Sequence, residues 1–256
     1  MPDIEFDLED DGAAVLTLNR PQVRNALNWA AMEAFGEAVA RAWQAALEGR
    51  LRALVVTGAG EAFASGGDLG ELQHYPAPAD GERLASTMGD ALARLEALPV
   101  PTVAALNGPA RGGGAEIAVA CDLRVLDERA DLGFVHGRLG IIPGWGGGQR
   151  LLRLVGYARA LELLATARVM AAAEAFRLGL ANAVVPAGEA LAAARALAGR
   201  IAENPPSAVQ AAKRILRAGL CLPLEQALAA ERAEFPALWA TDFRLEAMRK
   251  FLGRGK

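Results

Sequence analysis

Apolar residues fall along this chain in two rhythms, one of period two or continuous, the other helical. Ile4 to Leu8 alternates apolar with acidic positions, and Asp11-Gly12 separates it from Ala14 to Leu18, which predicts a half-exposed β-hairpin. Asn19-Arg20-Pro21 breaks the pattern. From Asn28, a residue suited to capping, Trp29, Met32, Phe35, Val39 and Trp43 recur at helical spacing, predicting a helix to about Leu47 whose aromatics belong to the core. Two continuous apolar runs, Leu54 to Thr57 and Thr102 to Leu106, suit strands covered on both faces. Between them, His74 to Gly81 is proline-rich and predicts a loop placed to cover a pocket, followed by a helix from about Glu82 to Leu98, closed by Pro99. Leu123 to Leu126 predicts a further strand, and Leu132 with Phe134 a looser apolar pair. From Gln149 the rhythm is almost wholly helical, with segments near 149–155, 157–166, 171–178, 188–203, 206–218, 223–240 and 242–252, and only Ala183 to Val185 reads as strand.

Strands alternating with helices, then helices alone, predict an α/β protein with a helical C-terminal part, and the patterns by themselves favour a doubly wound sheet. The 256 residues are 53% hydrophobic, enough for one large domain with a substantial core. A net charge of −3 offers no basic surplus for neutralising phosphates, which argues against a nucleic-acid partner. Cys121 and Cys221 stand far apart with no CxxC and no histidine pair nearby, so neither a disulfide framework nor a metal site is supported, and both read as buried thiols. The acidic start MPDIEFDLEDDG is unlike a targeting leader and no apolar run approaches membrane-spanning length, so no membrane partner is expected and a cytoplasmic protein is.

The chemistry concentrates in two glycine turns. Thr102 to Asp122 reads TVAALNGPARGGGAEIAVACD: strand, glycine turn, then a helix with Glu116 in its first turn. Ala53 to Gly70 reads ALVVTGAGEAFASGGDLG, again a strand delivering a glycine turn. Glycines strip side chains from the place where a helix presents unpaired N–H groups, so a ligand atom can approach bare backbone. If the two strands are parallel neighbours, the amides of Gly67 and Gly113 converge on one oxygen and stabilise negative charge there. The plainer alternative is tight turns with close strand–helix packing, and for Glu116 a first-turn carboxylate that complements the helix dipole. A GxGxxG dinucleotide fingerprint, a Walker A loop and a GxSxG elbow are all absent, and two histidines leave little room for a triad or a metal centre.

AFASGGDL and NGPARGGGAEIAVACD resemble the two signature segments of the enoyl-CoA hydratase/isomerase (crotonase) family. GIIPGWGGGQRLLRLVG from Gly140 and ARVMAAAEAFRLGLANAVVP from Ala167 fall in the family's order, so the resemblance covers nearly the whole chain. It implies a crotonase-like spiral of ββα units with two sheets, a core with its acyl-CoA site over residues 1–190, and a helical region over 191–256 that assembles trimers or hexamers. It implies lyase chemistry on a short acyl-CoA thioester held as an enolate, with no cofactor beyond the coenzyme A of the substrate. Gly67 and Gly113 match the residues whose amides hold the thioester oxygen. Ala64, Asp68, Leu69 and Gly70 match the neighbourhood that contacts the CoA moiety, with a helix cap as the alternative for Asp68.

Glu116 matches the first of two acid/base glutamates of typical hydratases, but His136 stands where the second belongs. An imidazole can give or take a proton near neutral pH, so hydration of a 2-enoyl-CoA remains the leading expectation. The run FVH, then GIIP, then WGG, with the ENPPSAV and LEQALAAER segments, is also similar to the methylmalonyl/ethylmalonyl-CoA decarboxylase branch. Decarboxylation needs the same paired amides without a base at the α-carbon, and His136 or Arg138 would attract the carboxylate. Trp145 replaces a small residue and either narrows the acyl pocket or packs in the core. His74 reads as a surface residue. A non-catalytic acyl-CoA-binding or assembly module that kept the fold is the alternative of another class.

Overall fold

A computed structural model of the chain describes residues 1–253. The predicted hairpin forms: β1 (Ile4–Leu8) pairs antiparallel with β2 (Ala13–Leu18), with Ile4 opposite Leu18. Asn28 caps α1 (Trp29–Leu47) by accepting from the Ala31 amide at 2.9 Å. Then come β3 (Ala53–Gly58), the short α2 (Leu69–Leu72), α3 (Pro78–Ala97), β4 (Thr102–Leu106), β5 (Ala110–Arg111) and α4 (Gly113–Ala120). The chain continues through β6 (Leu123–Asp127), β7 (Asp131–Gly133), a 3₁₀ turn over Val135–Leu139, α5 (Gly147–Val155), α6 (Tyr157–Thr166) and β8 (Val169–Ala171). It ends with α7 (Ala172–Arg177), β9 (Ala183–Val185), α8 (Ala190–Ala202), α9 (Pro206–Cys221), α10 (Leu224–Trp239) and α11 (Asp242–Gly253).

Six strands form one sheet in the order β1-β2-β3-β4-β6-β9, parallel after the first pair, while β5, β7 and β8 form a second, smaller sheet. The doubly wound expectation is therefore wrong. Its strand order would reverse, whereas here each new strand adds on the same edge. Residues of α1, α3 and α4, the helices inserted between successive strands, all pack in the cluster on one face with Leu16, Leu54, Val56 and Leu106. With crossovers of a single hand, helices kept to one face move the sheet in one direction only. Val15, Val55, Val103 and Val125 point to the other face and meet α8 through Ala194 and Ala198. Both faces are thus dry, which explains why β3 and β4 read as continuous apolar runs.

Three local expectations are corrected. The proline-rich stretch is not all loop, because Pro78 opens α3, its missing N–H being harmless at a helix start. Residues 110–111 and 169–171 are strands too short to show a period. Cys121 is buried, its thiol pushed up to about 12 by burial, but Cys221 is exposed.

The same region pins the C-terminal helices to the core. Lys213 of α9, nearly buried, donates from Nζ to Asp122 Oδ2 at 2.6 Å and to the Val100 carbonyl at 3.0 Å. Asp122 also accepts from the amide and hydroxyl of Thr102 at 2.8 and 2.9 Å. Burial lowers the affinity of Lys213 for its proton, and the Asp122 carboxylate opposes that shift. Without the carboxylate, the ammonium keeps only the Val100 carbonyl as a partner among the described residues. Asp122→Ala is expected to cost about 3 kcal/mol or more of unfolding free energy, and Lys213→Met less than half of that, as read by urea denaturation. Equal costs would mean that the ammonium does not depend on its partner.

Candidate active site

Strands β3 and β4 are parallel neighbours, the condition on which convergence of the two glycine turns beyond them depends. The first runs alongside residues 24–27: Leu27 N donates to Gly66 O, and Asp68 N to Leu27 O, each at 2.8 Å. In this one-residue parallel bridge, Gly66 and Asp68 make the bonds and the N–H of Gly67 is directed away from Leu27. The second turn is clamped to the first: Arg111 N donates to Ala64 O at 2.9 Å, and Ala64 bridges Ala110. Gly66 has φ +93°, and a methyl group on it would lie 2.8 Å from the Gly113 nitrogen. The turns therefore touch, and among the described residues neither the Gly67 nor the Gly113 amide finds an acceptor.

Glu116, only 1% exposed, sits one turn into α4 and is fully engaged. Its Oε2 accepts from the amides of Trp145 and Gly147, both at 2.8 Å. Its Oε1 lies 3.0 Å from His136 Nε2. The first contact satisfies two otherwise orphaned donors at the start of α5, so Glu116 of one helix caps another. Because two amides occupy Oε2, any proton on the carboxyl resides on Oε1, facing the imidazole. A methyl group on Gly147 would come within 2.5 Å of Glu116 Cγ, so only glycine allows this approach. The His136 ring is buried, with no partner for Nδ1 among the described residues. A methyl group on Gly112 would lie 3.8 Å from His136 Nε2, which puts the pair beside the start of α4.

Trp145 joins the two halves of the site. Its amide holds Glu116 while its buried ring lies against Gly113, where an added methyl group would fall 2.0 Å from Cζ3. Asp68 accepts from Gly70 N at 3.1 Å as the cap of α2, and its other oxygen pairs with Arg20 at 3.0 Å. Its carboxylate is thus spent locally, and Leu69, 59% exposed, is the apolar side chain of this turn that faces outward. Arg138 is exposed and gives its Nε to the Ala167 carbonyl at 3.1 Å. His74 is exposed, as expected. Sequence reasoning missed the amides of Trp145 and Gly147. The signal was present in GWGGG ahead of a helical run, a third bare helix start able to receive an anion.

Glu116→Ala leaves two buried donors without an acceptor and is expected to destabilise the fold by about 2 to 4 kcal/mol. Glu116→Gln keeps an acceptor for both amides and is expected to stay within about 1 kcal/mol of the parent. Thermal unfolding of the two variants checks this, and an unaffected Ala variant would show that the cap contributes nothing.

Comparison with known proteins agrees with this fold. A sequence profile of the enoyl-CoA hydratase/isomerase family matches residues 9–256. An ethylmalonyl-CoA decarboxylase from Gallus gallus is 36% identical over 250 residues, 96% of this chain and 82% of that protein. A short-chain-enoyl-CoA hydratase from Clostridium acetobutylicum is 37% identical over 251 residues, 97% of this chain and 95% of that protein. The crystal structure of an enoyl-CoA hydratase from Bacillus anthracis superposes with a TM-score of 0.92 at 35% identity, covering 98% of this chain and 96% of that one. The α/β arrangement with its one-directional sheet is thus the crotonase fold, and the chain belongs to the enoyl-CoA hydratase/isomerase family.

Proposed function

We propose that this protein is a lyase that hydrates short 2-enoyl-CoA thioesters, with the amides of Gly67 and Gly113 holding the thioester oxygen. The observation that carries the reading is the direct Glu116–His136 contact beside two amides that have no acceptor among the described residues. Water adds its oxygen to Cβ, the C=C electron pair moves into an enolate, and the water proton passes to the Glu116–His136 pair. The pair returns one proton to Cα, so that H and OH are both accounted for. Each amide is worth about 3 kcal/mol to the developing oxyanion. Leu69 and Gly70 line the approach of the CoA moiety, whereas Ala64, fully buried, and Asp68, engaged by Gly70 N and Arg20, hold the turn in place, and Trp145 shortens the acyl space. The proposal includes a cytoplasmic location and no cofactor besides the CoA of the substrate.

Decarboxylation of a methylmalonyl- or ethylmalonyl-type CoA is the second reading. It is favoured by both Glu116 oxygens already having partners, and by the decarboxylase among the relatives. There the C–C bond to the carboxylate breaks and its electron pair forms the same enolate. Against it, a substrate carboxylate and Glu116 repel each other in a dry site unless one is neutral. Purified protein is expected to consume crotonyl-CoA, followed by loss of enoyl absorbance, and to release no CO₂ from methylmalonyl-CoA. Glu116→Gln and His136→Ala are each expected to lower kcat by about 10² or more. The converse substrate pattern would establish the decarboxylase. Unchanged acyl-CoA binding with no turnover of either substrate by the parent would establish a binding module.

We also propose assembly into trimers, or hexamers built from two trimers, through α9 to α11. Leu224, Leu228, Phe235 and Trp239 of α10 are 43–76% exposed, large apolar side chains along one side of the helix that an isolated chain leaves wet. Light scattering is expected to give a mass of three or six chains. A monomer would refute it.

A further inference from the structure

The loop that holds Glu116 is itself held from behind. Arg150, in the first turn of α5, donates from Nη1 to the Trp145 carbonyl at 2.8 Å. Its Nε donates to Glu96 Oε2 at 3.0 Å, and its Nη2 lies 2.9 Å from the same oxygen. The Arg150 side chain is 12% exposed, so the pair is shielded on the arginine side. Gly146 has φ +87°, and a methyl group on it would lie 2.7 Å from Arg150 Nη1, so the guanidinium lies directly against the loop. Arg217 of α9 donates to the Glu96 carbonyl, which ties this acid to the C-terminal helices as well. Trp145 is therefore fixed at both main-chain polar atoms: Arg150 holds its carbonyl, and its amide holds Glu116.

We propose that Glu96 and Arg150 form a positioning pair, acting through the Trp145 main chain to keep the amides of residues 145 and 147 aimed at Glu116 Oε2. By occupying Oε2, the loop confines the mobile proton to Oε1, the oxygen in contact with His136. Neither residue hydrogen-bonds to Glu116 or His136 directly. The effect on turnover rests on the proton-handling role proposed for Glu116; the effect on the loop does not. A planar guanidinium suits the task because it faces the carboxylate with one edge and the carbonyl with another.

The test is amide hydrogen exchange at Trp145 and Gly147 in the full-length protein, combined with steady-state kinetics on crotonyl-CoA. In Arg150→Met, exchange at these two amides is expected to rise by about tenfold while amides of β3 and β4 keep the parent's protection. For the same variant, kcat is expected to fall by about tenfold or more, with KM within about twofold of the parent. Arg150→Lys, which retains a donor for the Trp145 carbonyl, is expected to fall between parent and Met variant in both readouts. Should Arg150→Met fail to fold, Glu96→Gln takes its place, since it removes the charge and keeps the shape. Parent-like exchange at both amides in a folded variant overturns the proposal, as does a loss of kcat with both amides still protected. Exchange reads the loop whatever the substrate, so a parent protein inert toward crotonyl-CoA counts only against the hydratase reading.

Discussion

A carboxylate with 1% of its surface exposed must be satisfied within the protein, and the arrangement of the site follows from how Glu116 meets that demand. Left unpaired, it would cost several kcal/mol. The two amides at the start of α5 and the His136 imidazole supply its partners, and they come from different parts of the chain. To deliver them, α5 must point its first turn at α4, the Val135–Leu139 turn must lie beside both, and Gly147 must carry no side chain. Gly147 of the GWGGG run is therefore explained by an acid group thirty-one positions earlier in the chain.

The paired-amide site depends on a second constraint, contact between two turns. Parallel strands β3 and β4 end side by side, and the glycine turn beyond each is little more than backbone. Gly66 allows the left-handed φ of the first turn, and the absence of side chains lets it rest on the start of the second. Sheet and helix supply rigidity, the turns supply donors, and catalysis by fixed dipoles needs both.

Much of this was legible in the sequence, for identifiable reasons. Runs such as Leu54 to Thr57 and Thr102 to Leu106 are continuous because α8 covers one face and the crossover helices the other, and that pattern survives without any long-range information. The Asn28 cap and the Gly67 and Gly113 turns were legible because each follows from local backbone chemistry. The one-way strand order was legible only through the family resemblance and not from periodicity: it depends on which face each crossover helix takes, and amphipathic spacing does not distinguish the faces. The two- and three-residue strands at 110–111 and 169–171 are defined only by their partners. The Glu116 anchors were hidden because they are main-chain atoms, to which a side-chain motif is blind.

Anchoring through main-chain atoms also governs how such a protein can change over time. Trp145 grips Glu116 by its amide and Arg150 by its carbonyl, while only its ring lies against the first residue of α4. Main-chain atoms are common to nearly all residue types. The two hydrogen bonds made by residue 145 therefore do not depend on its side-chain type, whereas its buried ring is tied to the core packing around Gly113. One residue thus carries two independent structural duties, a main-chain link and a packed ring.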